Sequence, residues 1–281
     1  MKAMIKIELK RAFANRAYLL ALCIGLGIVI WHLFIEVIPL SKDFDMYYQQ
    51  ILTTPENVYP STVFRDWFGS SMHHYSIVGA NLFFFILPLL ICIPYVGSYY
   101  SDRTSGFAAN VAVRTKSSTY YSAKILAIFL SAASIAVIPL VFSLFAASLF
   151  IPSIVPEVTT FTYPITVADY WADIFYSVPA LYFALYFTLI AVTAGLLALL
   201  GAAIAHFVGH VLFSLVTPFA VCTFYAYLLG AFNLNYYAPT TFMQPSQPGD
   251  ADLIWVLFTV AVLAIGLGAF FFLKLRKAEH Y

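Results

Sequence analysis

The sequence predicts an all-α polytopic membrane protein with six transmembrane helices, an N-terminal interfacial helix and both termini cytosolic. Three observations lead there. The mean hydropathy is +0.88, and 62% of residues are hydrophobic against 10% charged, a composition outside the range of soluble globular proteins. Apolar runs of about 20 residues, enough to cross a bilayer core, recur six times along the chain. Basic residues gather in three segments, five in residues 1–16, four in a central polar loop and three near the C-terminus, against only Lys42 and Arg65 elsewhere. That bias is the positive-inside pattern of cytosolic segments. The spans consume most of the 281 residues, so the chain reads as a single transmembrane domain, 1–281, with no room for a soluble catalytic domain.

Residues 1–16 form the interfacial helix. Met1, Ile5, Leu9 and Ala12 fall close together, and Lys2, Lys6, Lys10 and Arg11 supply a basic face that can snorkel toward lipid phosphates. Ile7 and Glu8 break this pattern. The first span covers residues 17–40, with Glu36 read as a boundary residue one turn inside its far end. The segment 41–77 is acidic and external. Its adjacent His73 and His74 point about 100° apart on a helix and form no chelating pair. The second span, 78–97, contains Pro88 and Pro94. The third, 121–151, exceeds a simple crossing and is interrupted at Pro139. An external segment, 152–173, leads to the fourth span, 174–205, whose Ala191, Ala194, Gly195, Ala198 and Ala202 permit close helix approach. A short turn at His206 to His210 precedes the fifth span, 208–230. Segment 231–252 is external, its apolar first half suited to a re-entrant hairpin, and the sixth span is 253–273.

Several chemistries are excluded by residue type. The sequence lacks the GxxxxGK[ST] loop that cradles nucleotide phosphates, so no intrinsic ATPase is expected. His206 and His210 share the i, i+4 spacing of a metal pair, but HFVGH lacks the glutamate that would act as general base. Cys23, Cys92 and Cys222 stand singly in apolar runs and read as small buried residues. Apart from Glu36, the spans carry no charge near mid-membrane, which argues against coupling to an ion gradient. No metal and no nucleic acid partner is expected.

The polar stretch from Tyr99 to Lys124, with Arg103, Arg114, Lys116 and Lys124, is the natural cytosolic handle. Together with the ordered layout of spans and loops, it resembles the permease subunits of ABC transporters of the ABC-2 type. In that family an acidic residue, a glycine and a basic segment before the third span form a coupling helix. Asp102, Gly106, Arg114, Lys116 and, opening the span, Lys124 stand in those places, and Arg103 and Phe107 join the implied ATPase-coupling set within loop 99–120. The chain departs in having Phe107 after Gly106 and no proline between Pro94 and Pro139. The resemblance implies a separate cytosolic P-loop ATPase subunit that binds ATP and magnesium, a second permease chain in a homo- or heterodimer, and contact with membrane lipid. It implies export of a hydrophobic or amphipathic compound such as a peptide, lipid or drug across a prokaryotic plasma membrane, the substrate-binding residues being unknown. The competing class is a non-transporting membrane scaffold or an immunity protein against antimicrobial peptides.

Overall fold

A computed structural model describes residues 1–42, 62–68, 74–156, 163, 165, 169–244 and 251–278. Among them the chain is helical, with no strand. Helix α1 spans Lys2–Phe13. Helix α2, Arg16–Lys42, is capped by Asn15, whose side chain accepts from the Ala17 amide at 3.0 Å and donates to the Pro94 carbonyl at 3.0 Å. The short α3, Val63–Asp66, precedes α4, His74–Leu90, then α5, Val96–Thr104, and α6, Phe107–Ala112. Helix α7 is Ser117–Ala147, α8 Ala172–Ser177, α9 Pro179–Ile204 and α10 Val211–Gly230. A 3-10 turn at Asn235–Tyr237, the short α11 at Pro239–Phe242 and α12 at Leu253–Ala278 complete the chain.

Five of these helices, α2, α7, α9, α10 and α12, are long and apolar enough to cross a membrane. The expected second span is shorter and broken. Its helix stops at Leu90, turns through residues 91–95 and restarts at Val96, because Pro94 disfavours helical geometry at Ile93 and lacks an N–H. The expected fourth span likewise breaks at Val178, and α9 starts afresh with Pro179 in its first turn. Pro139, by contrast, lies inside a continuous α7.

Helix α9 is the centre of the bundle, two-thirds buried, while α10 and α12 are mostly exposed. It packs chiefly on α7, and the small residues explain how closely. A Cβ added at Gly195 would lie 2.3 Å from the Phe129 ring, so only glycine admits the aromatic side chain there. Helix α7 also carries α1 and α2 on its other side.

At the end opposite α1, loop segments cap the bundle. The Phe68 amide donates to Ser143 Oγ at 3.2 Å, and the Tyr170 and Tyr186 hydroxyls both donate to the Phe242 carbonyl, at 3.0 and 3.1 Å. The apolar first half of segment 231–252 therefore folds as two helical turns that pack on α4 and α10. Glu36 is buried on α2. It is 6% exposed within a π-helical turn, Leu33–Val37, and its Oε2 lies 3.5 Å from Nε2 of His32, itself buried. Cys92 and Cys222 are buried as expected, whereas Cys23 is exposed on α2. His73 lies outside the described residues.

Candidate functional site: a buried ionic knot at the foot of α7

The charged segments of the sequence meet at one end of the bundle. The start of α2, the segment after α4, the start of α7, the end of α9, the start of α10 and the end of α12 all lie there. At 31 residues, α7 is about 46 Å long, against about 30 Å for a bilayer core. Its first turns can therefore project beyond the apolar layer, and those turns hold Tyr120 and Lys124.

Lys124 is 0% exposed. Its Nζ donates to Asp102 Oδ2 at 2.5 Å and lies 3.3 Å from Glu8 Oε2. Arg11 closes the ring, donating to both Asp102 oxygens at 2.7 and 3.1 Å and to Glu8 Oε1 at 2.9 Å. Two tyrosine hydroxyls complete the set, Tyr95 to Glu8 Oε2 at 2.6 Å and Tyr120 to Asp102 Oδ2 at 2.7 Å. Arg11 also lies 4.6 Å from the Phe107 ring centroid and Lys124 4.2 Å from that of Tyr95. Two cations are thus matched by two carboxylates with their hydrogen bonds met, the condition under which buried charge is tolerated. Burial alone would raise the Asp102 carboxyl, but hydrogen bonds from Arg11 and Lys124, the Lys124 charge and the Tyr120 hydroxyl hold it below its ordinary value. Burial likewise opposes the Arg11 charge, yet Asp102 and the other nearby negative groups raise its affinity for the proton.

Asp102 is therefore a member of the knot. It is buried and ties α5 to α1 and α7. Arg103 turns away and donates to the His206 carbonyl at 2.9 Å. Gly106 has φ +72° and opens α6, a left-handed conformation that favours glycine. Phe107 is half-exposed under Arg11, and Arg114 and Lys116 are exposed beside Val113, which is 89% exposed. Lys2, Lys6 and Lys10 are exposed as expected, while Arg11 belongs to the knot. Helix α1 packs on α7 and buries Glu8 and Ala12 beneath it. His206 and His210 do not share a helix face. His206 lies in the turn after α9, and His210 caps α10, its Nδ1 accepting from the Leu212 amide at 3.2 Å. No group of metal-binding side chains occurs among the described residues.

Sequence reasoning missed Glu8, Tyr95 and Tyr120. Glu8 looked like a flaw in an amphipathic pattern, although its i, i+3 spacing to Arg11 was a visible signal. Compared with known protein families, with curated proteins and with solved structures, the chain shows no match.

Proposed function

We propose that the chain is the membrane-spanning permease subunit of an ATP-driven ABC transporter of the ABC-2 type, in a prokaryotic plasma membrane. It works with a second permease chain and a separate P-loop ATPase, which binds the ATP and magnesium, and it exports a hydrophobic or amphipathic compound. The observation that supports this reading best is the ionic knot. It joins α1, α5 and α7 through charge-assisted hydrogen bonds, and α6 extends from that unit with Phe107, Val113, Arg114 and Lys116 toward solvent. A force on α6 and α1 is carried by the knot into α7, and from α7 into the buried α9. The exposed apolar and basic residues of α6 and the loop after it offer the ATPase its seat.

The test is gentle extraction of the tagged full chain from its native membrane. The expected result is a stoichiometric soluble P-loop ATPase in the purified complex, lost in the Val113→Asp variant. Val113 is exposed, so this variant should unfold within about 0.5 kcal/mol of the parent. Reproducible absence of an ATPase from folded, monodisperse protein overturns the reading in favour of a non-transporting scaffold.

A further inference from the structure

Arg103 follows Asp102 by one position on α5, about 100° around the helix. It therefore leaves the knot and reaches the turn between α9 and α10, where its Nη1 donates to the His206 carbonyl at 2.9 Å. Lys274, near the end of α12, meets the same residue, its Nζ against the His206 Nε2. The Tyr100 hydroxyl pins α5 to this turn by donating to the Gly209 carbonyl at 2.5 Å. Two separate elements, α5 and α12, thus converge on His206.

The charge balance differs from that of the knot. There, each cation faces carboxylates. Here, among the described residues, no carboxylate lies within ion-pair distance of Arg103 or Lys274. The histidine adds no further positive charge, because burial and then the positive charges of Lys274 and Arg103 lower its affinity for a proton. Beside the cations lies apolar surface. Phe207 is 74% exposed and its ring centroid is 5.7 Å from that of Phe270, which in turn lies 5.9 Å from Lys274 Nζ. Positive charge that meets no carboxylate among the described residues, where spans end and next to exposed aromatic rings, matches a headgroup phosphate with its acyl chains alongside.

We propose that Arg103 and Lys274, gathered on His206, form a binding site for the phosphate of an anionic membrane lipid.

The test uses the full chain in a neutral detergent, with thermal unfolding read against added phosphatidylglycerol, phosphatidylcholine or inorganic phosphate. Phosphatidylglycerol is expected to raise the Tm saturably, and phosphatidylcholine is not. Arg103→Gln/Lys274→Gln should raise the half-maximal phosphatidylglycerol concentration by about tenfold or more. Arg114→Gln/Lys116→Gln removes the same charge from the exposed loop and should leave it unchanged. Lys274→Arg should retain the response. If the double variant does not fold, Lys274→Gln alone is read, with about a fivefold weakening expected. Equal protection of variant and parent, or equal protection by phosphatidylcholine, overturns the proposal. A shift by inorganic phosphate that equals the lipid's and is lost in the variant overturns the lipid assignment in favour of a free phosphate.

Discussion

Replacing Lys124 by methionine isolates what the knot contributes. The side chain is fully buried and touches Asp102 at 2.5 Å and Glu8 at 3.3 Å. Methionine fills a similar volume, so the loss is electrostatic. The knot goes from neutral to a net charge of minus one, because Arg11 alone remains against Glu8 and Asp102. Removing one partner of a buried ionic set costs about 3–5 kcal/mol, since the remaining charge is left uncompensated. Glu8→Gln in the same chain restores neutrality. The Arg11–Asp102 pair stays intact, and the glutamine carbonyl still accepts the Tyr95 hydroxyl. The double variant is therefore expected to be less destabilised than the sum of the two single variants by about 1–3 kcal/mol. Equilibrium unfolding in mixed micelles, followed by tryptophan fluorescence, measures all four proteins. Strict additivity, or a Lys124→Met loss under about 1 kcal/mol, would refute the view that these groups act as one neutral unit.

Two further outcomes follow from the same geometry. The Asp102 carboxyl is held below its ordinary value of 3.8 in the folded protein. Its contribution is thus fully present above that value and is lost as the pH falls below it through the folded value. Acid unfolding of the parent should steepen there, and Asp102→Asn should be less stable at neutral pH and flatter in that window. Gly195→Ala places a methyl group 2.3 Å from the Phe129 ring and should cost about 1–3 kcal/mol by forcing α7 and α9 apart, with partial rescue by Phe129→Leu in thermal unfolding.

The spans were legible because a bilayer-length apolar run is a signal that each segment carries by itself. Breaks were less so. Pro88, Pro94 and Pro139 are alike in the sequence, but α4 and α7 run through Pro88 and Pro139, whereas the chain turns at Pro94. Every proline disfavours a helix through the same local chemistry, so which of the three ends one is not written in its own segment. Of the ionic knot, the polar stretch that holds Asp102, Tyr120 and Lys124 was legible and the pairings within it were not. Asp102 and Arg103 read as neighbours in one coupling loop. One helical step sends the first into a buried ionic ring and the second to the α9–α10 turn. Apart from Arg11, Glu8 has its partners 87 or more residues away, at Tyr95 and Lys124, and no local periodicity encodes such a pairing.

Buried charge at the foot of α7 calls for a reason other than stability, because a well-packed apolar foot of the same volume would hold the bundle as well or better. The reason lies in α1. Its apolar stripe is thin, with Ala12 buried, Ile5 and Leu9 partly so and Ile7 51% exposed. Apolar burial alone would leave the helix several nearly equal rotations and registers on α7. Glu8 and Arg11 admit one, since Glu8 must meet Lys124 and Tyr95 while Arg11 spans both oxygens of Asp102. Fixing that rotation fixes which residues face outward, Lys2, Lys6 and Lys10 on α1, and it holds α5, and through it α6, at a defined place beside them. The knot converts two short polar helices into a single oriented surface rigidly seated on the longest helix of the bundle. A partner that pushes there would move α7 instead of bending a loop.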